Sequence, residues 1–491
     1  MTGNSFKRTA SNDMATDSGW PAKNVDVTSA SRDRLTDLAL DRPSASFSDN
    51  ADSSAVDASL LCGVKGMGRR RAPGKGGERS VALPELAGDR RSPLVSIANK
   101  KATQLKQRSD KRETMRVFAE QVRAVHKRFN EDSRWASCGN PMASRVGIGR
   151  SENSRVSASG IETCGSAASC IRCRSKIASQ RCTEIETGLR NYLKRDSTTV
   201  LFTTFTLPHY ASDSIDDVWA YLKNAWTALI NTRSWRGFKK RYKLDGFIKV
   251  IEPTIGANGH HLHIHCLFLF NIETDEAYQG DWLNVAKYLH DNWKRGVLKS
   301  CGRTISGQAG VDIRAVRDEA AMGEYLSKVA FEVTDRAFAK KGKSGNRTPW
   351  EIVRDFLDTG DSQDLAIWLD WCRASKGRRL ISWSRYLKKE LGVTEETDEA
   401  IAGKEDETRV IEGYVCFKTW YRLGQRVDGA RARFMHVWEQ DGPIHAGNYL
   451  SKIMPDQFGL SISDEGLPYI RVIKKQTPTS PKAGECFITT K

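Results

Sequence analysis

Four of the chain's nine histidines stand within six positions, in GHHLHIHCLFLF (259–270). The rest of the stretch is apolar and reads as a β-strand, whose side chains alternate between two faces. His261, His263 and His265 then share one face with Leu267 and Leu269. His260, Leu262, Ile264, Cys266, Phe268 and Phe270 share the other. Imidazoles at i and i+2 of a strand are close enough to bind one divalent ion. They suit transition metals, and serve Mg2+ or Mn2+ once carboxylate or phosphate oxygens join. The preceding run GFIKVIEPT (246–254) supplies a carboxylate, Glu252, on a face with Ile248 and Val250, and the turn at Asn258-Gly259 folds it back toward the histidines. A carboxylate on an apolar face needs a partner, and a metal would be one. Histidines that only pack and hydrogen-bond are the alternative; three alternating imidazoles beside a facing glutamate favour the metal.

Two further groups carry chemistry. MGEYLSKVAFE (322–332) has helical spacing and puts Tyr325 and Lys328 at i and i+3, on one face. A phenol attacks phosphorus well only if it loses its proton and the phosphate is neutralised, and a nearby ammonium and a bound cation assist both. Tyr-x-x-Lys alone is better read as an ordinary amphipathic helix; its weight comes from following the histidine strand by one βα step. Upstream, Cys164, Cys170 and Cys173 form C-x5-C-x2-C. Four thiolates suit a structural Zn2+, and the fourth is read as Cys138 in WASCGN, with Cys182 the alternative.

These groups need a scaffold. VLFTTFTLP (200–208) is a β-branched, aromatic strand ended by Pro208. SIDDVWAYLKNAWTALI (214–230) opens with a capping box and carries apolar residues at helical spacing. Strands at 246–254 and 261–270, a helix at 281–293, a strand at 310–316 and a helix at 318–333 complete the series. The order β-α-β-β-α-β predicts an α+β fold: a ferredoxin-like antiparallel sheet with helices on one face and the other left open for a substrate. Around it, residues 1–110 are poor in aromatics and rich in Ser, Asp and Gly, and are expected to be disordered. Residues 111–195 read as a helix plus the cysteine module, 196–335 as the catalytic domain, and 336–348 as a basic linker. Residues 349–393 read as helical, and 394–491 give no indication of a role. The chain of 491 residues has a net charge of +17, which favours a polyanionic partner, nucleic acid before membrane. RASKGRRLISWSRYLKK (373–389) is read as basic helix interleaved with aromatics; Arg378, Arg379 and Arg385 are its candidate phosphate contacts. No apolar run is long enough to span a bilayer and the N-terminus lacks a signal h-region, so a soluble, cytoplasmic protein is expected, with its cysteines as thiols or metal ligands.

Taken together, the motifs resemble the HUH endonucleases, specifically plasmid rolling-circle replication initiators of the zinc-containing bacterial type. LFTTFTLPH is similar to their first motif, His263-Ile264-His265 in GANGHHLHIHCLFLF to the metal motif, and YLSK to the nucleophile helix. GIETCGSAASCIRCRSKIASQR (160–181) and RASKGRRLISWSR (373–385) also resemble segments of this family, so that the likeness spans roughly 130–392. The resemblance implies a tyrosine nuclease and ligase acting on single-stranded or hairpin origin DNA. Tyr325 would attack the scissile phosphate, with Lys328 beside it. Mg2+ or Mn2+ held by His263, His265 and Glu252, with His261 adjacent, would polarise that phosphate. The products would be a 5′-phosphotyrosyl link and a 3′-OH primer. Relatives often carry a second tyrosine where this chain has Val329, so a two-tyrosine relay is not available on this helix. No phosphate-binding loop of the helicase type occurs, so unwinding and synthesis need a host helicase and polymerase. A transposase or relaxase of the same superfamily shares the chemistry, and a non-catalytic zinc protein that binds DNA is the reading of a different class.

Overall fold

The computed structural model of the chain describes residues 93–272, 279–306, 310–316, 345–405, 407–426, 428–454 and 458–472. A long helix α1 (Pro93–Phe129) and a helical turn α2 (Arg134–Ser137) lead into β1 (Arg145–Arg150) and β2 (Val156–Ser159). Then come α3 (Ile171–Leu193), β3 (Thr199–Phe205), α4 (Ile215–Ile230), α5 (Arg233–Arg241), β4 (Leu244–Gly256), β5 (Gly259–Phe270), α6 (Gln279–Cys301) and β6 (Val311–Val316). After them stand α7 (Pro349–Thr359), α8 (Ser362–Ser375), β7 (Ile381–Trp383), α9 (Leu387–Glu390), α10 (Asp398–Gly403) and β8 (Val410–Cys416). The last elements are α11 (Phe417–Gln425), α12 (Ala430–Asp441), α13 (Pro443–Ile453), β9 (Phe458–Ile462) and β10 (Pro468–Val472).

The histidine strand lies in a five-stranded sheet of order β6-β3-β5-β4-β7, in which every pairing is antiparallel. β3 is rich in β-branched and aromatic residues, as a strand covered on both sides must be, and six of its seven residues are buried. β4 and β5 form a hairpin closed at Gly256 and Gly259, around a two-residue turn. Gly259 has φ +83°, and a Cβ there would lie 3.1 Å from the Ala211 Cα, so the turn requires glycine. α4 is started by the anticipated capping box: Ser214 accepts from the Asp217 N–H, and Asp217 from the Ser214 N–H. α4, α5 and α6 cover one face through an aromatic core. Phe205, Phe247 and Phe268 from the sheet meet Trp226, Trp235 and Trp293 from the helices.

The other face is not left open along its length. Ile185, Leu189 and Tyr192 of α3, with Leu387, Leu391 and Val393, bury Val200, Phe202, Ile248, Val250, Leu267 and Leu269. Six apolar side chains on that half of the sheet demand such a cover. The imidazole half follows directly on it.

A second sheet was not foreseen. It has the order β2-β1-β8-β10-β9, joining residues 145–159 to the C-terminal region. β8 pairs antiparallel with β1 and parallel with β10. α11, α12 and α13 pack on this sheet through Trp420, Leu423, Phe434, Trp438 and Leu450. α1 begins at Pro93, inside the stretch expected to be disordered, and its Glu120 sits in a buried cluster with Arg123, Arg172 and Arg431. The basic helix expected over 373–389 breaks: α8 ends at Ser375, Gly377 takes φ +72°, and Ile381–Trp383 becomes an edge strand on β4. The helix expected over 318–333 and most of the basic linker lie outside the described residues. No described helix is long and apolar enough to cross a membrane.

Candidate functional site

β3, β4 and β5 place the first cluster by register. Glu252 lies directly opposite His263, and Thr204 directly opposite His265. His265 Nε2 donates to Glu252 Oε2 at 2.9 Å, and its Nδ1 lies 3.0 Å from the Thr204 hydroxyl. The His265 ring stacks on Phe202 at 5.4 Å and is buried, as is Glu252. His261 and His263 are half-buried, with ring centroids 3.8 Å apart, and the His263 and His265 rings are parallel at 6.2 Å. Burial, with His263 and His209 beside it, holds His261 down to about 3. Burial also lowers His260, against the pull of Asp370. At neutral pH His261 therefore presents an uncharged ring with a lone pair, the form that binds cations.

Two contributors escaped the sequence reading. His209, in the loop after β3, stacks on His261 at 4.2 Å and extends the imidazole row to a fourth ring. That loop is clamped by Arg303, which makes a bidentate pair with Asp213 (2.6 and 2.7 Å) and lies over the Tyr210 ring. Thr204 orients His265 from the neighbouring strand. A histidine just past Pro208 and a hydroxyl in an otherwise apolar strand were the available signals, and only tertiary pairing gives them meaning. Tyr325 and Lys328 lie outside the described residues, so their distance to this cluster is not part of the geometry.

The second cluster joins Cys138, Cys164, Cys170 and Cys173, all buried, with their four sulfurs within 4.8 Å of one another. Sulfur separations of 3.5–3.6 Å are far too long for a disulfide and near the edge of a tetrahedron of thiolates around Zn2+, about 3.8 Å for Zn–S bonds of about 2.3 Å. Cys170 stands at the N-cap position of α3 and Cys173 in its first turn, so the C-x2-C pair straddles a helix start. Hydrogen bonds from Cys138, Cys164 and Cys170 hold the Cys173 thiol far below its usual range. Cys182 stays outside the cluster. This donor set fits a metal such as zinc.

The three candidate DNA contacts differ. Arg378 donates to Asp216 at 3.3 Å and lies over the Trp219 ring, which commits it to α4. Arg379 is exposed, and Arg385 lies over the exposed ring of Tyr386.

The chain is a mixed α+β protein with two sheets, a buried tetrathiol cluster and a carboxylate–imidazole row. Residues 161–425, more than half of the chain, match the Replication protein family (Rep_1), and the chain belongs to it. It is similar to "Protein rep" of Streptomyces lividans, 26% identical over 303 residues, which cover 48% of this chain and 64% of that protein. The chain thus spans under two thirds of that relative's length. No solved structure matches it.

Proposed function

We propose that this protein is a rolling-circle replication initiator, a metal-dependent DNA endonuclease and strand transferase that nicks and rejoins single-stranded origin DNA. The observation that carries the reading is the convergence of Glu252 and His265 at 2.9 Å beside the half-buried His263 and His261. A row of imidazoles with one carboxylate on a sheet face is a donor set for a divalent cation, and His263, His265 and Glu252, with His261 adjacent, would hold it. The strand order β6-β3-β5-β4, with the two crossovers carried by α4 and α6, supports the ferredoxin-like reading of the core.

On this reading Tyr325 attacks the scissile phosphorus. The bond from Tyr325 Oη to phosphorus forms and the bond to the 3′ oxygen breaks; the phenol loses its proton and the departing 3′ oxygen gains one. Lys328, three residues on in sequence, favours the phenolate and offsets phosphate charge. Mg2+ or Mn2+, when bound, would supply Lewis-acid polarisation of the phosphate. His265 is held between Thr204 and Glu252, so its ring orientation is fixed before substrate arrives. The phosphodiester is conserved as a 5′-phosphotyrosine, which allows rejoining without a nucleotide cofactor, and the free 3′-OH primes synthesis by host polymerase behind a host helicase. The tetrathiol cluster would hold a structural Zn2+, and Arg379 and Arg385 offer phosphate contacts. Incubating the protein with a single-stranded origin oligonucleotide and Mn2+ should give a species that survives denaturing electrophoresis, and Tyr325→Phe should abolish it while binding persists. Binding by the wild type with no such species would instead favour a non-catalytic DNA-binding protein.

A further inference from the structure

The C-terminal half contains a surface that the nuclease reading does not use. Helix α11 buries Thr419, Trp420, Leu423 and Gly424, and turns Phe417, Lys418, Tyr421, Arg422 and Gln425 to solvent. The outward face of an amphipathic helix is ordinarily polar. Here it carries two large rings, Phe417 43% and Tyr421 38% exposed, whose planes lie within 3° of parallel with centroids 6.0 Å apart. One turn separates them, and a cation follows each in sequence: Lys418 after Phe417, Arg422 after Tyr421.

The platform is held rigidly. The Trp420 indole is buried and donates to the Gly139 carbonyl at 2.9 Å, fixing α11 to the residue after Cys138. From α1, Arg123 donates to the Gly424 carbonyl and Lys127 to the Gln425 side chain. The Phe417 N–H closes onto the Ser144 carbonyl at 2.8 Å. Rings on a fixed helix lose little freedom when something stacks on them.

We propose that the exposed face of α11 is a single-stranded nucleic-acid contact, with unpaired bases stacking on Phe417 and Tyr421 and phosphates meeting Lys418 and Arg422. Stacking on π-faces tolerates any base, and interleaved cations follow the backbone. A protein partner fits the face less well, because lysine is depleted from the centres of protein interfaces, whereas here it stands beside the rings. Duplex DNA keeps its bases paired and offers no face to stack. The inference rests on the DNA-handling reading of the chain, but not on the tyrosine chemistry.

The test uses the full-length protein and a fluorescent oligothymidylate. Phe417→Ala/Tyr421→Ala should weaken anisotropy-detected binding at least about tenfold. It should leave a duplex of equal length and the melting temperature nearly unchanged. Lys418→Glu should weaken binding and flatten its salt dependence. An iodouracil-substituted strand should photocrosslink to tryptic peptides 410–418 or 419–422. Unchanged affinity in the double variant overturns the proposal; so does a change of oligomeric state with DNA binding intact, which would make the face a contact between copies of the chain. The covalent-adduct assay on the same samples keeps the two readings apart. An adduct with unaltered binding in the double variant sinks this inference alone. Binding that depends on the two rings, with no adduct from wild type, sinks the nuclease reading alone.

Discussion

Replacing Glu120 by Gln preserves shape and removes one charge, and its consequence is calculable. Glu120 is 3% exposed and its two oxygens accept from Arg431 at 2.9 and 2.5 Å, Arg172 at 2.9 Å and Arg123 at 3.2 Å. Burial alone would raise this carboxyl; Arg431 and Arg172 outweigh it and hold the group at about 2, against an ordinary 4.5. A carboxylate depressed by that amount contributes about 3 kcal/mol above its unfolded pKa, and loses it as pH falls from about 4.5 toward 2. Burial pulls Arg431 down to about 10, so part of the gain is offset on the cation side. Glutamine leaves three guanidiniums facing one another, and a buried pair broken on one side costs about 3–5 kcal/mol. Glu120→Gln should therefore destabilise the protein by about 3 kcal/mol at neutral pH, measured by urea unfolding, with the gap to wild type narrowing steadily below about pH 4.5. A gap under about 1 kcal/mol, or one that stays constant into acid, would refute the reasoning. The result matters beyond stability, because Arg431 also donates to the Gly139 carbonyl at 2.8 Å and so ties the C-terminal helices to the cysteine loop.

Other perturbations test other joints. Gly413→Ala would place a Cβ 2.7 Å from the Pro468 carbonyl and 3.0 Å from the Trp438 ring, and should lower stability by about 1–3 kcal/mol in thermal melts. Purified protein should carry about one Zn2+ per chain, released by a strong chelator with a drop in melting temperature; Cys173→Ser should show the same loss. Thr204→Val keeps the volume but removes the hydroxyl at His265 Nδ1, and should weaken calorimetric Mn2+ binding about tenfold, with Thr204→Ser restoring it.

The arrangement of the histidine strand was legible because its signal was local. Alternation along 259–270 set three histidines on one face, and one short turn was enough to bring Glu252 against them. The capping box at Ser214 and the run Cys164, Cys170 and Cys173 were equally local, whereas Cys138 joins them from 26 residues upstream. What escaped was long-range. β1 and β8 are short strands more than two hundred residues apart, and neither declares its partner. The stretch 373–389 has helical composition, but β4 needed an edge strand, and Gly377 permitted the break. α1 is polar along much of its length and is held by the buried Glu120 and by Arg112 and Arg116 on Glu439, contacts that composition does not reveal. Arg378, attractive as a phosphate contact, is taken by Asp216 and Trp219.

The central proposal is that Tyr325 attacks DNA phosphorus with the help of a cation held by the imidazole row. Its most direct test is to trap the covalent species with an origin oligonucleotide and Mn2+, digest it with trypsin and nuclease, and locate the nucleotide by mass spectrometry. The added nucleotide is expected on Tyr325, in peptide 318–328. Attachment in peptide 196–223, which carries the exposed Tyr210 next to His209, would contradict it, as would the absence of any modified peptide.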